Sequence, residues 1–228
     1  MSHILPQHSP VRAGPFGPGN GARAPGAPIE ARLLADHAAG RHHEVATAAI
    51  RAYGPEILGF LAAMLRDEDA ARDVFSQFCE DLWIGLPRFR GHCSLRTWAY
   101  AVARNAASDY RDSAHNRRRC AIDEHPELLE AAQAARTTTL AYLRTEVKDR
   151  VAAMRDRLDP EDQTMLILRI DRGMSFNDIA RVTLGDAVSE DGAVLARKSA
   201  ALRKRFERIK AELRSLVRAG ETQPAPAG

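Results

Sequence analysis

Aromatic residues are scarce in this sequence, 6% of 228, and nowhere do apolar and polar residues alternate strictly. Both lacks argue against β-strands, which favour aromatic and β-branched side chains on a half-buried pleat. Cysteine is scarce and odd in number, with Cys79, Cys93 and Cys120, and no Cys-x-x-Cys pair exists. That pattern excludes a disulfide-framed secreted module and suits a reducing compartment. His42, His43, His92 and Cys93 are ligand types, yet their spacing fits no metal site. Neither a metal nor any other cofactor is expected. No run reads as long and apolar enough to span a membrane, and the N-terminus lacks a charged-then-apolar leader pattern. The expected location is the cytoplasm. Gly-rich phosphate loops, nucleophile elbows and HExxH patterns are also missing, so no enzymatic chemistry is expected.

Net charge is low as well, formally +3, and total charge alone does not announce a nucleic-acid binder. The distribution is more informative. Basic residues gather at 111–119 and 197–210, acidic ones at 67–73, 123–130 and 156–162. A chain zoned in this way can bind DNA with one part and a basic protein surface with another. Ordinary solvated helix faces give the same pattern, so no single cluster decides.

Ala, Leu and Arg are frequent, and apolar residues recur at three- and four-residue spacing. These features predict an all-α fold. Residues 1–28, rich in Pro, Gly and Ala, read as a disordered extension. From Ile29 to Met64 the spacing predicts helices broken near Gly54-Pro55, with Ile57, Leu58, Leu61 and Leu65 on one stripe. A turn at Arg66 to Asp69 precedes a helix over about 70–83, ended by Gly85 and Pro87. Its outer face carries Arg72, Asp73, Gln77, Glu80 and Asp81. Ser94 is a candidate N-cap for a strong helix, Leu95 to about Arg111, with Leu95, Trp98, Ala99, Val102 and Ala106 facing inward. Residues of about 112–140 are weakly patterned and read as a linker with one or two short helices.

A second helical region begins near Leu140, with Val147, Val151, Met154 and Leu158 on one stripe. Asp159-Pro160 supplies an N-cap and a first-turn proline. A turn at Arg172-Gly173-Met174, a helix capped by Ser175, a polar connection from Leu184 to Gly192 and a long basic helix together read as helix-turn-helix. In that geometry the last helix enters the major groove. Its Arg197, Lys198, Arg203 and Lys204 are candidates for phosphate and guanine contacts.

The segment FRGHCSLRTWAYAVARNAASDYR (89–111) is more specific. It joins rings (Trp98, Tyr100, Tyr110) to cations (Arg96, Arg104), the combination that holds single-stranded nucleic acid. Trp98 itself falls on the inward stripe and reads as core.

This segment resembles the promoter-melting part of the extracytoplasmic function (ECF) sigma factors of the sigma-70 family, whose pattern is LRTWLYxIARNxxxD. Leu95, Arg96, Thr97, Trp98, Tyr100, Ala103, Arg104, Asn105 and Asp109 match, with Arg111 close behind. The preceding AARDVFSQFCEDLW resembles the family's DAEDLVQExFxxxW at Ala71, Asp73 and Trp83, and departs from it at Arg72 and Ser76. The stretch from Leu158 to Val182 resembles the family's second DNA-binding domain through Leu158, Pro160, Leu168, Arg169, Gly173, Ser175, Ile179 and Ala180. It departs at Gln163-Thr164. The connection before the last helix is longer than the family's, which leaves the start of that helix open. Together the resemblances span most of residues 45–216.

The resemblance implies two small helical domains. One at 29–113 (sigma region 2) binds core polymerase and the −10 element. A flexible linker, 114–139, leads to a helix-turn-helix at 140–218 (sigma region 4) that binds the −35 element. A disordered tail follows at 219–228. Contacts to the −10 region are expected from Arg96, Arg104, Asn105, Arg111, Asn116, Arg117, Arg118 and Arg119. Contacts to the −35 region are expected from Arg197, Lys198, Arg203 and Lys204. Asp69, Asp73, Gln77, Glu80 and Asp81 are expected to meet polymerase. The implied partners are promoter DNA, the β′ clamp helices and β flap of core RNA polymerase, and an anti-sigma factor. The runner-up is a helix-turn-helix regulator of duplex DNA that never joins polymerase, which leaves residues 67–111 without a role. Beyond it stand a helical mimic that sequesters a sigma factor's partner and a metalloenzyme built on the His and Cys residues.

Overall fold

The computed structural model describes residues 27–112, 126–142, 158–185 and 191–221, and every regular element among them is helical. The expected N-terminal extension, most of the tail, Cys120 and the stripe at Val147, Val151 and Met154 lie outside the described residues. In chain order the helices are α1 (Ala27–Ala38), α2 (His42–Leu65), α3 (Glu68–Gly85), α4 (Leu95–Asp112) and α5 (Pro126–Tyr142). The second half holds α6 (Pro160–Leu166), α7 (Phe176–Leu184) and α8 (Gly192–Glu221).

Local chemistry sets most of these boundaries. Arg66 ends α2 in the left-handed region (φ 58°), its N–H donating to the Ala62 carbonyl. Asp67 then caps α3, accepting from the N–H groups of Asp69 and Ala70 at 2.9 and 3.0 Å. A short 3-10 turn, Leu86–Arg88, follows Gly85. Ser94 caps α4 through the Thr97 N–H at 3.0 Å. Asp159 caps α6 through the Asp162 N–H at 2.9 Å, and Ser175 caps α7 through the Asp178 N–H at 3.1 Å. Each cap satisfies backbone donors that the helix cannot pair internally.

The break expected near Gly54-Pro55 does not occur: α2 runs unbroken from His42 to Leu65 with Pro55 inside it. Proline removes one intrahelical hydrogen bond there. Tertiary packing outweighs that loss, because Ile50, Ile57, Phe60 and Leu61 are wholly buried around it. Among the described residues α2 alone is, by length and composition, apolar enough to cross a membrane, which the sequence reading did not register. More than half of that stretch is buried inside the protein, as a core helix requires.

Residues 126–139, in the stretch read as a linker with one or two short helices, belong to α5, which lies against α2 and α3. Its buried side chains are Leu128, Ala131, Ala132 and Ala135, at the three- and four-residue spacing of one helix face. The small residues permit close approach. A Cβ on Gly54 would stand 2.8 Å from the Ala135 Cβ and 3.3 Å from the Phe75 ring. Arg136 donates to the Ser76 hydroxyl of α3 and lies over the Phe75 ring.

In the second half a π-helical turn, Ile167–Asp171, extends α6. Gly173 (φ +65°) reverses the chain before α7, a conformation open to glycine at little cost. Phe176 is flanked by the guanidinium groups of Arg169 and Arg203, 4.7 and 5.5 Å from its ring centre, and meets Phe206 edge-on. Arg205 of α8 pairs with Asp159 at 2.6 Å, with Glu161 at 2.8 Å and with Asp162. This ties α8 to the first turn of α6. One cluster of buried side chains runs from Leu33 through α4 to Ile179 and Ile209. The two halves meet where α7 lies against α4.

Candidate nucleic-acid interface

Helix α4 carries the segment singled out in the sequence. Leu95, Trp98, Ala99, Ala103, Ala106 and Ala107 are buried, so one face locks the helix into the bundle. Trp98 is core, as the stripe predicted. Tyr100 is core as well, which corrects its expected use as a ring for bases. It is fully buried, edge-on to Phe60 at 5.3 Å and under the Arg96 guanidinium. Burial, chiefly, and the neighbouring Glu56 push its hydroxyl pKa upward. Phe60, Glu56 and Arg172, its neighbours, come from distant parts of the chain, and periodicity does not register such contacts. Tyr110 remains the exposed ring.

The expected −10 residues divide into groups. Arg104 is half-buried and Asn105 exposed. Arg111 is exposed but donates to the Met64 carbonyl at 2.5 Å, capping the end of α2. Arg96 faces inward. Its guanidinium makes a two-point contact with Glu56 at 2.6 and 2.7 Å and donates to the Arg172 carbonyl at 3.2 Å. Burial opposes its charge, but the Glu56 contacts hold its pKa above the usual arginine value. Asn116, Arg117, Arg118 and Arg119 lie outside the described residues.

Helix α3 presents the acidic face. Asp69 and Asp73 are exposed; Gln77, Glu80 and Asp81 are half-buried. Gln77 donates to Asp81 at 2.9 Å. Burial raises the Asp81 carboxyl pKa, as do the nearby Glu80 and Asp109, against the Gln77 hydrogen bond. Asp69 pairs with Arg72 at 3.0 Å across one turn, a surface contact of small energetic weight. Arg72, the departure from the family pattern, thus neutralises part of the acidic face.

Helix α8 supplies the basic element. Leu195, Ser199, Leu202 and Ile209 are buried on its inner side. Arg197, Arg203 and Lys204 are exposed and Lys198 is half-buried. The sequence left the start of this helix open. Asp191 sets it, accepting from the N–H groups of Ala193 and Val194 at 2.8 and 3.2 Å. An Asp just before an apolar-periodic run is an N-cap signal that was available in the sequence. Arg205 was also missed; only its three distant carboxylates reveal its role. Among the described residues no group of three or more His, Cys, Asp or Glu is placed to hold a metal ion.

The basic last helix behind α7 and the polar face of α4 give this all-helical fold the character of a DNA-binding protein. Residues 49–117 match the family model for sigma-70 region 2. The chain is 31% identical over 136 residues to the RNA polymerase sigma-H factor of Pseudomonas aeruginosa, covering 57% of this chain and 70% of that one. It is 27% identical over 178 residues to the RNA polymerase sigma factor YlaC of Bacillus subtilis, covering 76% of this chain and 99% of that one. No solved structure matches. The chain belongs to the sigma-70 family of RNA polymerase sigma factors, of the ECF type. Its function is that of an alternative sigma factor, directing transcription initiation.

Proposed function

We propose that the work is divided among three surfaces. The acidic face of α3, with Asp69, Asp73, Gln77, Glu80 and Asp81, docks on the β′ clamp helices of core RNA polymerase. The outer face of α4 with Arg104 and Asn105, continued by Arg111 and the basic stretch at Asn116, Arg117, Arg118 and Arg119, holds the non-template strand of the −10 element single-stranded. Helix α8 reads the −35 element in the major groove through Arg197, Lys198, Arg203 and Lys204, while its lobe meets the β flap. A base drawn from the duplex at −10 loses a few kcal/mol of stacking and pairing, which contacts on the protein must offset. Bond formation belongs to the polymerase. The protein works in the cytoplasm and is held in check by an anti-sigma factor.

The observation that carries this division is the separation of charge. The acidic side chains lie on α3 and the cations on α8, two separate helices. A regulator of duplex DNA alone has no use for the first. The test is in vitro transcription with core polymerase on a promoter library, comparing wild type with the Arg104→Ala/Asn105→Ala variant. The variant is expected to bind core normally and to lose open-complex formation, read by permanganate reactivity. Equal loss of core binding and melting overturns the role given to α4. A wild-type protein that adds no specific start sites overturns the whole assignment.

A further inference from the structure

Helix α1 meets the chain at both ends of the loop that leads into α4. At one end the His37 Nε2 donates to the Phe89 carbonyl at 2.9 Å. A carbonyl only accepts, so the imidazole proton sits on Nε2, and Nδ1 is buried without a hydrogen-bond partner. His37 also lies edge-on to the Phe89 ring at 5.4 Å, and Phe89 in turn packs on Trp98 at 5.2 Å. At the other end one carboxylate oxygen of Glu30 accepts from the Leu95 N–H. The second accepts from the Tyr53 hydroxyl at 2.5 Å. Burial, first, and then Glu30 raise the Tyr53 pKa well above its ordinary value, so the hydroxyl keeps its proton and remains a donor.

Glu30 and His37 stand two turns apart on one face of α1, roughly 10 Å along the axis at about 1.5 Å per residue. Leu33, between them in the chain, is buried and seats the helix. The first turn of a helix has backbone donors with no partner inside it. In α4 Ser94 takes the Thr97 N–H, and Glu30 takes the Leu95 N–H from 65 positions away. The helix dipole also favours a carboxylate there. Between the two anchors Arg90, Gly91 and His92 are exposed, and Gly91 turns the chain at φ +72°.

We propose that Glu30 and His37 are positioning residues for strand separation. From α1 they fix the first turn of α4 and the loop before it, so that the outer face of α4 meets the −10 strand in one orientation. Groups that act by position lose much of their effect when displaced by about 1 Å. Neither residue lies within residues 49–117, the stretch that matches the family model. This inference rests on the role given to α4 above.

The test uses the full-length chain with core polymerase, on a promoter drawn from the library described above. Glu30→Ala and His37→Ala remove the two contacts. Glu30→Gln keeps an acceptor for the Leu95 N–H, and His37→Gln keeps a donor for the Phe89 carbonyl. Amide hydrogen exchange over residues 89–97 reads the contacts directly. The rate of permanganate-reactive complex formation, followed against holoenzyme concentration, separates closed-promoter affinity from the rate of opening. The alanine variants are expected to exchange about tenfold faster over that segment. They are expected to keep core binding and closed-promoter affinity and to open about tenfold more slowly, with the glutamine variants recovering to within about threefold of wild type. A merely structural role predicts a lower melting temperature and a smaller active fraction, with each active complex opening at the wild-type rate; that result overturns the proposal. Unchanged exchange, or core binding lost in step with opening, does the same. Where an alanine variant does not fold, Tyr53→Phe, which removes one contact to Glu30, is expected to slow opening about threefold, and a wild-type rate there counts against the proposal. A wild-type protein that opens no promoter removes the role of α4 and this inference with it. A wild type that opens promoters, with variants equal to it, removes this inference alone.

Discussion

Gly54→Ala is a substitution whose sign separates a docked α5 from a loose one. On an exposed helix, glycine to alanine stabilises by about 1 kcal/mol, because alanine surrenders less backbone entropy. Here the new methyl would stand 2.8 Å from the Ala135 Cβ and 3.3 Å from the Phe75 ring. Both neighbours are buried, Ala135 at 3% exposure and Phe75 at 0%, and neither can swing aside. Forcing a methyl into a packed site costs about 1–3 kcal/mol, so the net effect is a destabilisation of up to about 2 kcal/mol. In a chain of this length that lowers the melting temperature by roughly 2–4 °C per kcal/mol. Ala135→Gly alone also destabilises, by about 1–2 kcal/mol from lost helix propensity and a lost buried methyl. Combined with Gly54→Ala it moves the methyl across the contact and removes the clash. A double-mutant cycle from urea unfolding followed at 222 nm is therefore expected to give a coupling of about 1–3 kcal/mol in favour of the pair. If Gly54→Ala stabilises by about 1 kcal/mol and the two changes simply add, α5 does not dock on α2 and the reasoning fails.

Four further outcomes follow from other parts of the structure. Arg197→Ala and Lys204→Ala are each expected to weaken duplex DNA binding across sequences and to lower the slope of log affinity against log salt by about 1; unchanged slopes in a filter-binding titration would remove them from the interface. Arg205→Ala strips three carboxylates of their partner, leaving Asp162 buried (8% exposed), and is expected to destabilise by about 1–3 kcal/mol in chemical unfolding. The Asp162 N–H, foremost, and Arg205 hold the Asp159 carboxyl below its ordinary pKa. Its stabilisation is thus complete above about pH 4 and disappears as pH falls through the lowered value. An acid titration of helicity should show that loss in the wild type and less of it in Arg205→Ala. Burial works against the Asp81 charge, so Asp81→Asn is expected to leave the melting temperature unchanged or raise it by about 1–2 °C while weakening core polymerase binding. A parallel fall in both would make Asp81 a structural residue.

Local signals carried much of the architecture. Asp67, Ser94, Asp159 and Ser175 announce helix starts through chemistry that spans only three residues, and all four act as caps. The stripe from Leu95 to Ala106 likewise needs only the helical period. What escaped the sequence depends on distant partners. Pro55 reads as a breaker until the burial of α2 is known. Tyr100 reads as a ring for bases until Phe60 and Glu56 are seen beside it. Residues 126–139 read as linker with short helices and not as a packed helix, because an alanine-rich face gives weak periodicity, although alanine is what allows close packing on Gly54. Arg96 pairs with Glu56 and Thr97 with Asp178, 40 and 81 positions apart, and no spacing rule reaches that far. Of the site, the acidic and basic faces were legible as charge clusters, while the inward turn of Arg96 was not.

The grip of Arg205 on the first turn of α6 has a consequence for how such a factor can change its targets. A helix advances about 100° per residue, so a small roll of α8 about its own axis would exchange one set of outward side chains for another. Three carboxylates converging on one guanidinium fix that roll from the inner side. If α8 reads DNA as proposed, the azimuth of its reading face is set by the Arg205 contacts to α6. Positions such as Arg197 and Lys204 can be replaced without turning the helix beneath them. On the proposed reading, promoter preference and the aim of the helix are encoded in separate residues, and one can drift while the other holds.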